Sequence, residues 1–513
     1  MTPTWETKRA SLDQLFAPKR IALIGATTKL NKWGGMIPAN VLTNRFDGQV
    51  FPVNPTSPEV LGLPAYRKVT DIPERVDLAV IVTPAVTVAG LIEECGRKGI
   101  RTVLVITSDF SETGPAGRKR EEEIKAVARD RGIHLVGPNS MGVFSAPVSL
   151  VCMMAMMEPL KGEISFVSQS GNIGVQMLAW GKRLKTGFRH FISSGNEADL
   201  TAQDYIRYFG EDPWCRTVMV YLESIKGRAN FLEIASEVAR KKPVVVFKGG
   251  KTASGLRAAA SHSGALAGKR GLYDASFRQA GLIQARTTEA FIDCARSLAR
   301  LPLPRGNRVG IITRGGGWGV ITTDACEEMG LTVPELASQT IDALDRLLPA
   351  YWSRGNPIDL VAVPDIDIYL NCTEIVMKDP NVDGVIALGA FTERATSFMR
   401  KPSFRHATGI DQATIRMWED KETEARERVL YGILGLMKDL DKPVVTVMGR
   451  EPTPKFDALL RKEGLSLYPT PERAVRVMAR LMEYAHYRRR WAGEPRTPGV
   501  SVSQPETRGD RGR

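Results

Sequence analysis

At 513 residues, with 43% hydrophobic and 25% charged side chains, the chain has an ordinary globular composition and length for about three domains of 100 to 200 residues. No stretch approaches the ~20 apolar residues of a membrane helix, and the opening MTPTWETKRASLDQLF lacks a signal-peptide core, so a cytoplasmic protein off the membrane is expected. Much of the net charge of +13 sits in late runs, Arg488 to Arg490 and Arg508 to Arg513, which argues against a nucleic-acid face and suggests a disordered basic tail over 492–513.

From Arg20 the chain alternates short apolar runs with helical stretches. RIALIG, VFPV, DLAVIV, TVLVIT and HLVG come first, with segments such as Gly117 to Arg131 between them. A second cycle runs through EISFVS, FRHFIS, TVMVYLES and PVVVFKGG, and a third through RVGIIT, VDGVIALGAF and PVVTVMG. Continuous buried strands alternating with amphipathic helices predict three doubly wound α/β units with parallel sheets. The prolines and glycine of Leu298 to Asn307 read as a linker between the second and third, while Pro147 and the Met153 to Met157 run mark a less distinct first boundary. Residues 391 to about 423 break the third pattern and read as an insertion. Cys95, Cys152, Cys215, Cys294, Cys326 and Cys372 form no CxxC pair and stand near no histidine, so reduced, buried thiols and no metal are expected.

Each unit opens on a strand that ends in small residues before a helix: Gly25, Ala26 and Thr27; then Gln169, Ser170 and Gly171; then Gly315, Gly316 and Gly317. Such turns present backbone N–H groups at a helix N-terminus, which suits phosphate. Each alone is also an ordinary steric device. The first lacks GxGxxG, and its second strand ends in Val53, Asn54 and Pro55 rather than an acidic residue, which disfavours a dehydrogenase but not a phosphate-bearing ligand such as coenzyme A. Thr83, Pro84, Thr107 and Ser108 end further strands on the same edge.

The octapeptide Ser261 to Gly268 sets His262 among residues with almost no side chain, on a loop made mobile by Gly249, Gly250, Ser254 and Gly255. A neutral imidazole is a nucleophile at cellular pH. Strand TVMVYL runs into Glu223, on the edge from which this loop departs; a carboxylate there would fix the tautomer of His262 and steady its charged form. A phosphoryl acceptor, a serine hydrolase using Ser261 or Ser263, and a hydrogen-bonded loop histidine all remain open on these residues, although no GxSxG elbow supports the second. His134 and His190 lie in apolar strands and read as packed; His406 and His486 read as solvated.

Taken together, VNPTSPEVLG, DLAVIVTPA, GPNSMG, SFVSQSGNIG, GNEADLTAQDYI, KPVVVFKGGKTASGLRAAASHSGALAG, YDASFRQAGLI and NPIDL resemble the NDP-forming acyl-CoA synthetases, relatives of succinyl-CoA synthetase, from about Ser11 to Trp491. The resemblance implies a Rossmann-like CoA-binding domain (11–146), a flavodoxin-like ligase domain with the phosphohistidine loop (158–300) and a third α/β ligase domain (306–491). It implies His262 as the phosphorylated residue and Glu223 as its carboxylate. Gly25, Ala26, Thr27, Asn54, Pro55, Thr83, Pro84, Thr107, Ser108 and Asn139 would line the coenzyme A crevice, and the turns at Gln169 to Gly171 and Gly315 to Gly317 would cradle phosphate from two helix ends. Ser263 stands where the family has threonine, Ser140 where cysteine is commoner, and Arg314 and Trp318 where smaller residues or proline are usual. No ATP-grasp module is recognisable, so Mg-ADP or Mg-ATP would sit on a separate ATP-grasp β subunit, with a small carboxylic acid and CoA as the other substrates. Rival readings keep the fold as an acyl-CoA sensor without turnover, or use Glu223 in an acyl-CoA hydrolase or transferase.

Overall fold

A computed structural model describes residues 4–250, 252, 254–255, 270–361, 366–391, 396–448 and 453–493. The chain divides into two compact units, Met1–Ala299 and Arg300–Arg513. Two of the three expected sheets share the first.

In the first sheet, β1 (Arg20–Ile24), β2 (Gln49–Val53), β5 (Leu78–Ile81), β6 (Thr102–Val105) and β7 (His134–Val136) run parallel in the order β2-β1-β5-β6-β7. Their continuous apolar runs are buried on both faces, as a sheet covered by helices requires. Ile24, Ile81 and Val105 meet Val88, Ile92 and Ile124 from the flanking helices in one core. A two-residue ribbon, β3 (Glu59–Val60) with β4 (Leu63–Pro64), hangs beyond β2.

The second sheet contains β8 (Gly142–Ser145), β9 (Leu150–Met153), β10 (Lys161–Ser168), β11 (Phe188–Ser193), β12 (Thr217–Leu222), β13 (Val244–Lys248) and β14 (Ile283–Gln284), ordered β14-β13-β12-β10-β11-β8-β9. Its five later strands are parallel, and the hairpin β8-β9 pairs antiparallel onto β11. Pro147 is therefore the tip of a hairpin inside the second sheet, not a division between sheets. Side chains on the flanking helices lock the two sheets together: Asn40 Nδ2 donates to the carbonyls of Met153 and Ala155 at 2.9 and 2.6 Å, and Lys8 pairs with Asp204 at 2.9 Å. The helix Trp5–Phe16 bridges them, with Phe16 against Tyr208, Phe209 and His190.

In the second unit, β15 (Val309–Thr313), β16 (Ile358–Asp359), β17 (Gly384–Leu388), β18 (Val444–Val447) and β19 (Leu467–Tyr468) form a parallel sheet ordered β16-β15-β17-β18-β19. Residues 391–423 break the strand pattern because they are largely helical: Thr396–Met399, Pro402–Thr408 and the start of the long helix Gln412–Leu440 lie between β17 and β18, with Arg400 paired to both carboxylate oxygens of Glu419. All six cysteines are buried and none is in a disulfide, and His134 and His190 are buried, as their strands predicted. His406 is exposed, whereas His486 is partly buried in the helix Pro471–Trp491. No helix among the described residues is long and apolar enough to cross a membrane.

Candidate functional site

Counted along the chain within each sheet, the parallel strands share one order, 2-1-3-4-5. The order reverses between the first and third strands, and ligands in such sheets bind outside the carboxyl ends at that reversal. The predicted turns fall there.

At the first reversal, the turn after β1 meets the turn after β5. Gly25 has φ +93°, and a Cβ on it would lie 2.6 Å from the Val82 carbonyl oxygen and 2.8 Å from Thr83 Cγ2, so only glycine fits. Gly34 and Gly35 let the helix Trp33–Thr43 press against the same turn, where added Cβ atoms would meet the carbonyl oxygens of Gly25 and Lys29 at 2.3 and 2.2 Å. Asn54 works as a clip between the β1 and β2 turns: Nδ2 donates to the Ala26 carbonyl at 2.8 Å, while Oδ1 accepts from the Thr56 amide, the Thr56 hydroxyl and the Ser57 amide at 2.9 to 3.0 Å. Its polar atoms are thus engaged by the protein, and its contribution to a crevice is to hold the turn. Pro55 is exposed beside it.

Thr107 donates to the Thr83 carbonyl at 2.7 Å, Thr83 and Thr87 share a hydroxyl contact of 2.8 Å, and Ser108 is half-buried next along. No side chain caps the helices Trp33–Thr43 or Ala85–Lys98, whereas Thr4, Asp411 and Thr453 cap helices elsewhere. Uncapped first-turn N–H groups are left for water or an anion. Leu30 (54% exposed), Trp33 (46%), Val86 (79%) and the exposed Lys29 and Lys32 rim this edge. Sequence reasoning passed over these five, although their places next to the glycine turns were the available signal.

At the second reversal, the turn Ser168–Gly171 meets Glu223 and Ser224 after β12. Gln169 clamps them: Oε1 accepts from the backbone N–H groups of Glu223 and Ser224 at 2.7 and 3.0 Å, and Nε2 donates to the Ser224 carbonyl at 3.0 Å. From β13, the buried Lys248 donates to the carbonyls of Glu223 and Gly249 at 2.7 and 2.5 Å. The Tyr221 hydroxyl hydrogen-bonds the Glu223 carboxylate; burial first, then that carboxylate, push the phenol well above its usual pKa. A Cβ on Gly249 would lie 2.6 Å from the Tyr221 hydroxyl, so the segment after β13 leaves the sheet against this pair. His262 lies on that segment and outside the described residues. No side chain caps the helix Gly171–Leu184, and Gly171 is required by Met141, whose Cβ would stand 2.6 Å from an added methyl.

Asn139, with φ +59°, lies between the two edges: its amide donates to the Thr107 carbonyl at 2.9 Å and its Nδ2 to Asn196 Oδ1 at 3.3 Å. Ser140 is 2% exposed; its hydroxyl donates to the Ser193 carbonyl at 2.6 Å and accepts from the Gly142 amide at 3.0 Å, which gives the serine a positive role in place of cysteine. Asn196 and Glu197, which the sequence marks only as part of GNEADLTAQDYI, are both built into this joint.

In the second unit, Gly315 to Gly317 open the uncapped helix Gly316–Glu328 at the reversal between β15 and β17, with Gly315 tied to the Thr313 hydroxyl. A Cβ on Gly316 would stand 3.2 Å from Asp359 Oδ2, so this turn has a carboxylate beside it as well as Arg314, whose guanidinium carbon is 5.3 Å from the Tyr369 ring centre. Trp318 is 53% exposed, so it does not fill the interior of its own unit. No cluster of potential metal ligands occurs among the described residues.

Three family models match the chain: a CoA binding domain at residues 19–146, a succinyl-CoA ligase like flavodoxin domain at 161–298 and a ligase-CoA domain at 309–415. The chain is 34% identical to the acetate–CoA ligase [ADP-forming] I subunit alpha of Pyrococcus furiosus, over 93% of this chain and 98% of that one. It is 35% identical to the acetate–CoA ligase [ADP-forming] I of Archaeoglobus fulgidus over 92% of this chain but 64% of that protein. Among solved structures, the acetyl-coenzyme A synthetase 1 of Ca. Korarchaeum cryptofilum, in complex with phosphate and ADP, superposes with a TM-score of 0.80 at 33% identity, covering 93% of this chain and 98% of that one.

Proposed function

The chain belongs to the NDP-forming acyl-CoA synthetase family, and from that premise we propose that it is the α subunit of an ADP-forming acetate–CoA ligase. It interconverts acyl-CoA, ADP and phosphate with carboxylic acid, ATP and CoA. The observation that carries the reading is Glu223 at the reversal of the second sheet, clamped by Gln169 and Lys248, with the segment toward His262 leaving the sheet beside it at Gly249.

In the ATP-forming direction, a phosphate oxygen attacks the thioester carbonyl; the C–S bond breaks, CoA leaves as thiolate and takes a proton, and an acyl phosphate remains. A ring nitrogen of His262 then attacks phosphorus, forming P–N as the acyl P–O bond breaks and the carboxylate departs. ADP finally takes the phosphoryl group from His262. Glu223 stabilises the positively charged ring through its carboxylate, and the uncapped helix end at Gly171 offsets phosphate charge with backbone donors; within the second unit, the uncapped turn Gly315 to Gly317 offers donors of the same kind. CoA fits the first crevice, where Gly25 lets the β1 and β5 turns close on each other beside uncapped helix ends and Leu30, Trp33 and Val86 offer apolar contact. We assign Gly25, Ala26, Thr27, Thr83, Pro84, Thr107 and Ser108 to that crevice, and Asn54, Pro55 and Asn139 to its support.

We assign functional domains at about 11–146, 158–300 and 306–491, with the hairpin β8-β9 at the first junction paired onto the second sheet. Mg-ADP belongs to a separate ATP-grasp β subunit; the greater length of the Archaeoglobus relative accords with a fused version of the same pair. Buried, unbridged cysteines accord with a cytoplasmic setting. The test is to purify the chain with its native partner and assay ATP formation from acetyl-CoA, ADP and phosphate. His262→Ala should abolish turnover and keep CoA binding. Thioester hydrolysis that needs neither ADP nor a partner would overturn the proposal.

A further inference from the structure

Glu197 stands in the loop after β11, on the carboxyl edge of the second sheet, with only 3% of its surface exposed and φ +54°, a backbone region that side-chain-bearing residues rarely adopt. A buried carboxylate is costly unless satisfied, and this one is. The Ser194 hydroxyl donates to its Oε1 at 2.8 Å, the Gln169 side chain hydrogen-bonds it, and Lys226 lies close enough to act on its charge while donating to the Asn196 and Glu197 carbonyls at 2.7 and 2.9 Å. Burial raises its pKa, against these influences and a hydrogen bond from the Ala202 backbone.

The Gln169 contact matters because an amide can be rotated by half a turn with little steric change, exchanging its donor and acceptor ends. A carboxylate oxygen that accepts from the NH2 end leaves the amide oxygen for the Glu223 and Ser224 amides. The same loop is stitched to the first sheet: the amides of Asn196 and Ala198 donate to the Pro138 and Gly137 carbonyls at 2.9 Å each, and the next residue, Asn139, donates to the Thr107 carbonyl. A Cβ on Gly195 would sit 2.1 Å from the Pro138 carbonyl oxygen.

We propose that Glu197 is a positioning residue for phosphoryl transfer, fixing the orientation of Gln169 and through it Glu223. The inference rests on the function proposed above. It is tested in the complete two-subunit enzyme by a cycle of Glu197→Gln, Gln169→Ala and the double variant, with kcat and the KM for phosphate and for CoA read separately. Because Glu197 acts through Gln169, Glu197→Gln should lower kcat/KM for phosphate by about tenfold or more, as loss of a supporting contact typically does, with the KM for CoA changed less than about twofold. The double variant should be no worse than Gln169→Ala alone. Ser194→Ala removes one anchor of the carboxylate and should shift the same parameter in the same direction, giving a readout if Glu197→Gln does not fold. Wild-type phosphate kinetics in Glu197→Gln, multiplicative losses in the double variant, or an equal rise in the KM for CoA would overturn the proposal. A wild-type complex that forms no ATP from acetyl-CoA, ADP and phosphate would instead overturn the underlying function and this inference with it.

Discussion

Replacing Gly25 by alanine separates backbone strain from close approach, because the chain supplies its own control in Gly62. Both have positive φ, +93° and +81°, so alanine at either costs about 1 to 3 kcal/mol of backbone strain. At Gly62, on the β3-β4 ribbon, no atom lies within 4 Å of the added methyl. At Gly25 the methyl meets Val82 O at 2.6 Å, Thr83 Cγ2 at 2.8 Å and Val82 C at 3.0 Å, and moving packed backbone adds about 1 to 3 kcal/mol more. Gly25→Ala should therefore destabilise the first unit by about 2 to 6 kcal/mol and Gly62→Ala by the strain alone. Forcing the β1 and β5 turns apart should also weaken CoA binding about tenfold or more, an amount of about 1.4 kcal/mol, whereas Gly62→Ala leaves it unchanged. Thermal or urea unfolding with titration calorimetry of CoA reads both. Equal melts and equal CoA affinities would refute the reasoning.

Asn54→Ala removes the clip between the β1 and β2 turns; with water able to replace part of it at this half-exposed site, about 1 to 3 kcal/mol of stability should be lost along with CoA affinity, and unchanged calorimetry would contradict the role. Glu223→Gln should leave CoA affinity intact and cut turnover at least a hundredfold, about 2.7 kcal/mol of barrier, and normal turnover would remove Glu223 from the site. Acid should destabilise the first unit in two steps. Burial holds His190 below its usual pKa; burial alone would raise Asp212, but hydrogen bonds from His190, Arg189 and the Trp214 amide hold it well below the carboxylate range. Both folded pKa values lie under the unfolded ones, so the His190 contribution is complete above about pH 6.5 and declines as pH falls, and that of Asp212 declines only below about pH 4. Melting scans should show Tm falling from pH 7 to pH 5 and a flatter profile in His190→Gln; a flat wild-type profile would count against this.

Strands with continuous apolar runs, such as Leu78–Ile81 and Val244–Lys248, were legible because both faces of a parallel sheet are buried and the whole run must be apolar. The hairpin Gly142–Met153 was not, since its partner is β11, some 45 residues later for Ser145 and His190, and local periodicity carries no trace of that pairing. Two-residue strands such as Ile358–Asp359 are too short to have a period at all. In the site, Glu223 could be placed because a strand pointed to it. Asn54 and Gln169 could be located but not understood: their amides serve the protein's own turns, a fact of tertiary geometry. Glu197 was hidden for the same reason, because a charged residue in a polar loop reads as solvated until the Gly137 to Asn139 loop of the other sheet closes over it.

The central claim is that this chain carries a phosphoryl group on His262. The most direct measurement incubates the two-subunit enzyme with acetyl-CoA and radiolabelled phosphate without ADP, then locates the label by peptide mass spectrometry. The account predicts an acid-labile, base-stable label on His262 that requires acetyl-CoA, vanishes in His262→Ala and is discharged by ADP as ATP. A folded, CoA-binding enzyme that takes up no label, or takes it up on another residue, would contradict it.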